Sequence, residues 1–363
     1  SMNFSMMIGL AVGIDYSLFI VSRFREEREE GRSPVDALSG TLTTAGKAVF
    51  LSALTVVLSL AAVFVVPVMV FRSMALGMIL SVTAVAVASL TLLPAVLMAL
   101  GDRVLTVRKG KVVDADHEAE GRWARWTGRA LRRPGATLAL GLLLLGLLAV
   151  PAFGMRLGMP GARVVDEGRS SRDGYELVIE SFGAGAAAPL FVTVDAAAAE
   201  DVVAIAAVDD GVADARIVAP EGPSGRAVVR VTPTTAVDSQ ATSDLVGRLR
   251  SGLAEATPSA AVGGPGAQNH DLTKALTDAA PLAIGLIMAT AFILLLVVFR
   301  SLTIALTSVL LNLLGVAASF GFATLVFQHG YGASLIGIEH QGFVDAWAPL
   351  FFFALLFGLS MDY

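Results

Sequence analysis

Long apolar runs and short polar breaks alternate up to about residue 155. A polar stretch of mixed pattern follows, and apolar runs return from residue 282. Seven runs are long enough to cross a hydrocarbon core of about 30 Å. They cover residues 4–24, 49–66, 71–100, 138–155, 282–299, 302–327 and 346–363. Pro94 is predicted to kink or end the third. Pro67 predicts a tight turn between the second and third, with Arg72 at its rim, and Arg300 and Ser301 predict a similar one between the fifth and sixth. Within the polar stretch, 189–194 and 226–231 carry strand signals. Residues 196–208 and 239–255 read as helices, the second with Leu245, Leu249 and Leu253 on one face and Asp238 near its start. Turns fall at 220–225 and 263–266, and 165–182 reads as a linker with an amphipathic helix. This pattern predicts an α-helical polytopic membrane protein of about seven spans, with one external α/β (α+β) domain whose helices lie on one side of a sheet.

Composition supports the membrane class. Of 363 residues, 55% are hydrophobic and 16% charged, against about a quarter charged in soluble domains. The chain has no Cys, which excludes a disulfide framework, a thiol nucleophile and a zinc-thiolate site. Basic residues near the span ends set the orientation. The loops after the first and third runs hold Arg23, Arg25, Arg28, Arg32 and Lys47, and Arg103 to Arg133, so both are predicted to be cytoplasmic. The stretch 156–278 holds 10 Lys/Arg against 17 Asp/Glu and is predicted to be external. Residues 122–133 place Trp123, Trp126 and Ala130 on one helical face and Arg122, Arg125, Arg129 and Arg132 on the next. That pattern predicts a helix in the headgroup layer against anionic lipid. It directly precedes a span, which argues against nucleic acid as a partner. Both ends of the chain fall at or inside apolar runs, so a piece of a longer protein is expected.

Asp15 and Tyr16 close the apolar stretch Gly9-Leu-Ala-Val-Gly-Ile-Asp-Tyr16, and Asp362 and Tyr363 close Gly358-Leu-Ser-Met-Asp-Tyr363. The next charge after Asp15 is Arg23, about 12 Å further along a helix, so Asp15 lies near mid-membrane. An acid at that depth is a functional candidate. Burial raises a carboxyl's affinity for protons, and the adjacent phenol can donate to it or accept from it. Ala11 and Gly13 precede one acid, and Gly358 and Ser360 the other; such small residues allow close helix packing. Ser52, Thr55 and Ser59 recur at one-turn spacing and can line a proton path or bond back to their own helix. Gly263-Gly-Pro-Gly266 lacks the Lys-Ser/Thr of a phosphate loop and reads as a turn. His329, Glu339 and His340 share a loop without metal-ligand spacing. No catalytic constellation is present, so an enzyme is not expected, and neither is a cofactor beyond protons as the coupling ion.

Gly9-Leu-Ala-Val-Gly-Ile-Asp-Tyr-Ser-Leu-Phe-Ile-Val-Ser-Arg-Phe-Arg-Glu-Glu27 resembles the fourth transmembrane helix of the MMPL family (mycobacterial membrane protein large), part of the resistance-nodulation-division superfamily. Phe299-Arg-Ser-Leu302, Leu310-Leu-Asn-Leu-Leu314, Phe327-Gln-His-Gly330 and Phe357-Gly-Leu-Ser-Met-Asp-Tyr363 resemble its helices eight to ten. Val262-Gly-Gly264 with Ala267 and Asp271 resembles the end of its second periplasmic domain. The resemblance implies twelve helices in two halves, each half with a porter-type domain. Residues 1–101 would be helices four to six, 102–133 a cytoplasmic linker, 134–155 helix seven, 156–279 the periplasmic domain and 280–363 helices eight to ten. The first three helices, the first domain and the last two helices would lie outside this chain. It further implies proton-motive-force-driven export of lipids or other hydrophobic compounds across the inner membrane. Asp15, Tyr16, Asp362 and Tyr363 would be the relay. Expected partners are membrane lipids, a hydrophobic substrate, and a second copy or cell-envelope proteins. The rival expectations are small-molecule efflux and a non-transporting receptor or scaffold.

Overall fold

The computed structural model describes residues 2–101, 122–159, 161–162, 165, 168–338 and 340–359. In chain order the helices are α1 (Met2–Glu29), α2 (Pro34–Thr41), α3 (Lys47–Ala61), α4 (Met69–Leu100), α5 (Arg122–Arg132), α6 (Pro134–Ala149), α7 (Ser170–Phe182), α8 (Ala199–Ala207), α9 (Gln240–Ala256), α10 (Pro265–Phe299), α11 (Leu302–Ala323) and α12 (Ala348–Leu359). The strands are β1 (Leu157–Gly158), β2 (Leu190–Asp195), β3 (Val212–Ala219), β4 (Arg226–Pro233), β5 (Ala261–Gly263) and β6 (Val344–Asp345). They form two units: residues 1–153, 279–322 and 349–363, and residues 154–278 with 323–348.

The first unit is the helical one. Six helices among the described residues are long and apolar enough to cross a membrane, and α12 adds a shorter apolar helix. The chain is therefore a polytopic helical membrane protein. The helices exceed the apolar runs. Past Phe24, α1 continues to Glu29, where Arg23 pairs with Glu26 and Glu27 one turn on. The second spanning helix begins far ahead of its apolar run. Ser33 caps it by accepting the Asp36 N–H at 3.2 Å, and Pro34 stands at its first position. A π-turn at Leu42–Gly46 joins α2 to α3, so one helix runs through Pro34–Val65. Of the two expectations for Pro94, a kink or an end, the helix does not end there; α4 runs through it to Leu100. Proline removes one N–H, but the flanking residues stay apolar and the helical pattern continues beyond it. Pro67 does end a helix, and the Arg72 Nε then donates to the Val66 carbonyl at 2.9 Å.

A stripe on α1 is buried at every fourth position: Ile8, Val12, Tyr16, Ile20 and Phe24. Beside it, α1 meets α4 through small residues. A Cβ on Gly9 would collide with Ser81 Oγ, and one on Gly77 would lie 2.7 Å from Ser5 Oγ. Ser81 Oγ donates to the Ser5 carbonyl at 2.9 Å. In hydrocarbon, where apolar burial gives little drive, such close approach supplies the packing energy.

The second unit holds a four-stranded sheet in the order β3-β4-β2-β5, with every neighbour antiparallel. With α8 between β2 and β3 and α9 between β4 and β5, the order is β-α-β-β-α-β, the split βαβ arrangement. Alternation along β2 buries Leu190, Val192 and Val194, which share a core with Val202 of α8 and Leu245, Leu249 and Leu253 of α9. The cap of α9 is Ser239, which accepts the Thr242 N–H, and Asp238 stands one residue before it. Gly264 leaves β5 with φ +98, and a Cβ there would lie 2.7 Å from the Pro189 carbonyl, so only glycine fits this turn. Further on, β1 pairs in parallel with β6. The Gln328 side chain accepts from the Arg156 N–H at 2.7 Å and donates to the Gly154 carbonyl at 3.1 Å.

Candidate functional site

Tyr16 belongs to the buried stripe of α1 and is 2% exposed. Its hydroxyl shares a hydrogen bond of 2.9 Å with Ser52 Oγ, itself 7% exposed on α3. Asp15, the preceding residue, is half-buried. Thr55 donates to its own helix at the Leu51 carbonyl, 2.9 Å away. Ser59 Oγ is buried and has no hydrogen-bond partner among the described residues. On the same face, a Cβ at Gly358 of α12 would lie 3.1 Å from Val56 Cα and 3.5 Å from Ser59 Oγ. Ser52, Val56 and Ser59 are spaced four and three residues apart, so one ridge of α3 faces Tyr16 at Ser52 and Gly358 a turn and two turns on. Asn312 of α11 donates to the Phe357 carbonyl at 3.2 Å, fixing α12 from a second side.

Of the expected site residues, Tyr16 and Ser52 meet directly, and Ser59 and Gly358 meet nearby; Thr55 bonds back to its own helix. Ser360, Asp362 and Tyr363 lie outside the described residues. Gly13 packs on α4, where its Cβ would come within 3.3 Å of Val85 Cγ1. Ala11 lies on another face of α1. It is exposed, because it sits between the α1 positions that face α4, which are Gly9 and Gly13. Gly9, Asn312 and Glu27 carry contacts that the sequence reading passed over. Gly9 was legible, since Ser5, Gly9 and Gly13 repeat every fourth residue.

A cleft of about 290 Å³ opens beside Ser52 and Thr55. Its walls are Thr44, Lys47, Ala48 and Leu51 on one side, and Leu294, Leu295, Val298 and Phe299 of α10 on the other. The exposed Lys47 lies among these lining residues, one turn below Leu51.

In the sheet unit, a larger cavity of about 980 Å³ is lined by Arg156 to Met159, Asp238 to Gln240, Ser243, Asn269, His270, Thr273 and Gln341 to Phe343, among others. Ser243 Oγ and His270 Nδ1 share a 2.7 Å hydrogen bond in its wall. Nearby on β6, burial pushes the Asp345 carboxyl up from its ordinary value, opposed by a hydrogen bond from the Trp347 indole. Elsewhere on this unit, Arg250 Nη2 donates to Asp271 Oδ2 at 2.8 Å. Among the described residues no three His, Asp or Glu side chains cluster as metal ligands; Glu339 is not among them.

A set of helices long enough to span, with an α+β unit inserted between them in the chain, defines a multi-pass helical membrane protein. The chain belongs to the MMPL family, whose pattern matches residues 1–155 and 180–363, and so is a multi-pass protein of the bacterial inner membrane. It is 34% identical over 376 residues to the "Mycolic acid-containing lipids exporter MmpL11" of Mycolicibacterium smegmatis, covering 98% of this chain and 39% of that protein. It is 34% identical over 373 residues to the "Heme uptake protein MmpL11" of Mycobacterium tuberculosis, covering 98% of this chain and 38% of that protein. It is 33% identical over 371 residues to "Membrane protein YdfJ" of Bacillus subtilis, covering 100% of this chain and 51% of that protein. The chain thus spans about two fifths to half the length of these relatives.

Proposed function

We propose that this chain is the proton-coupled part of an exporter that moves lipids or other hydrophobic compounds across the inner membrane. The observation that carries the reading is the buried Tyr16–Ser52 hydrogen bond beside Asp15. Magnitudes favour a protonatable switch there. An ionised acid at the centre of a spanning helix costs about 2.5–3.5 kcal/mol. A proton falling through about 100 mV releases about 2.3 kcal/mol. The two are comparable, so loading one proton onto Asp15 is enough to tip a two-state packing of α1 against α3. In this reading Tyr16 links the acid to the polar ridge of α3. Asp362 and Tyr363, which follow Gly358 in the sequence, supply the matching pair. The sheet unit is external and its 980 Å³ cavity faces the cargo. The exporter named among the relatives supports a lipid cargo, and the heme-uptake relative supports a different hydrophobic one.

The test is Asp15→Asn in the full-length protein, reconstituted with a pH-sensitive dye inside the vesicles. Loss of proton uptake and of lipid export, with unchanged membrane insertion, is expected. Full export by that variant sinks the reading and favours a receptor or scaffold.

A further inference from the structure

A deeply buried charge lies outside the relay. Glu27, at the last turn of α1, is 1% exposed. Arg23 Nη2 reaches its Oε1 at 2.7 Å, and Arg32 Nη1 pairs with its Oε2. Gly40 of α2 rests on the carboxylate; a Cβ there would lie 2.9 Å from Oε2 and 3.0 Å from Cδ. A carboxylate so buried, held by two guanidinium groups and in close contact with Gly40, fixes the foot of the helix Pro34–Val65 against α1.

The same two helices meet again at Tyr16 and Ser52. Eleven residues separate Tyr16 from Glu27, and twelve separate Gly40 from Ser52. At about 100° per residue, the first pair lies about 20° apart around its helix, and about 16 Å apart along it. In unbroken α-helix the second pair would lie about 120° apart and could not face one partner. Between them stands the π-turn Leu42–Gly46, where the Lys47 N–H donates to the Leu42 carbonyl five residues back. A π-turn absorbs one residue without a corresponding advance. Twelve residues then behave as eleven, and Gly40 and Ser52 share a face.

We propose that Glu27 is a positioning residue of the proton site. It sets the register between α1 and the second spanning helix, and the π-turn above it carries that register to Ser52, so that Tyr16 finds its partner. The proposal rests on the relay reading above, and its test separates the two. In the full-length protein, Glu27→Gln and Ser52→Ala are made singly and together, and proton uptake is measured in proteoliposomes. Each alone is expected to slow uptake about tenfold, and the pair no more than the worse single, since both act through one contact. A multiplied loss of about a hundredfold overturns the proposal, as does Glu27→Gln with normal uptake.

A second pair of variants reads register directly, and decides if Glu27→Gln fails to reach the membrane. Deleting Thr43 straightens the π-turn and keeps both contacts, so uptake persists. Inserting one alanine after Ala48 turns Ser52 about 100° away, so uptake is lost while the protein stays inserted. Equal behaviour of the two overturns the proposal. Normal uptake by Asp15→Asn sinks the relay reading itself. Loss there, with indifference to Glu27 and to both length changes, sinks only the positioning role.

Discussion

Tyr16→Phe removes a single oxygen from the centre of the candidate site. The ring stays within the α1 stripe, so no cavity forms. The change deletes the 2.9 Å bond to Ser52. A neutral hydrogen bond contributes about 0.5–1.5 kcal/mol net, and stranding a buried partner costs about 1–3 kcal/mol. Ser52 escapes most of the second cost, because a helical serine can turn its hydroxyl to the carbonyl four residues back, as Thr55 already does at Leu51. The fold should therefore lose about 1 kcal/mol, with expression and detergent melting close to the parent. Transport should respond far more, because the phenol links the α1 acid region to the polar ridge of α3 at Ser52. We expect proton uptake in proteoliposomes to fall at least about tenfold, the equivalent of about 1.4 kcal/mol in the barrier. Ser52→Ala should reproduce the loss. Normal uptake by Tyr16→Phe, in protein that melts normally, would refute the link.

Two further outcomes follow from contacts already described. Gly358→Leu must push α12 off the Val56 backbone, an overpacking cost of about 1–3 kcal/mol; thermal melting should show a drop larger than for Gly358→Ala, with uptake falling in the same order. In the sheet unit, Arg248 donates to both Asp209 oxygens at 2.8 and 2.9 Å, holding that carboxyl below the usual range against a partial desolvation that raises it. A depressed folded value means the stabilisation is complete above the ordinary carboxylate range and is lost as pH falls through it toward the depressed one. Protection factors for exchange across β3 and β4, with the intrinsic pH dependence of amide exchange divided out, should therefore fall on acidification, and Asp209→Asn should flatten that dependence while lowering protection at neutral pH.

Much of the architecture was legible because hydrophobic length is a strong signal in a membrane protein. The apolar runs located the spans but not their ends. Glu29 and Pro34 are helical because charge pairs and a capping serine extend helices into polar sequence, where hydropathy is blind. The Ser33-Pro-Val-Asp36 cap was readable and was outweighed by the later apolar run. In the sheet unit, β2 and β4 announced themselves by β-branched alternation. β3 did not, because its Asp214 and Arg216 interrupt the pattern on an exposed face, and β5 is only three residues long. At the site, residue type and depth singled out Asp15 and Tyr16. The choice of Ser52 as partner needed the π-turn, which no periodicity of 3.6 anticipates. Glu27 looked like one of several acids in a charged loop; its burial comes from Gly40 and the two arginines closing over it.

The small β1–β6 ladder has a bearing on how the protein is made. Leu157 waits for Val344, and Arg156 for Gln328 172 residues later. At synthesis rates of about 5–20 residues per second, the sheet with its own core can close about 4–16 s before β6 emerges. Until then the 154–158 segment has no partner for its backbone, and spans α10 and α11 have already been threaded. Biogenesis is thus ordered, with the sheet first and the ladder last, and the interval between them is when a chaperone or a protease would find this chain unfinished.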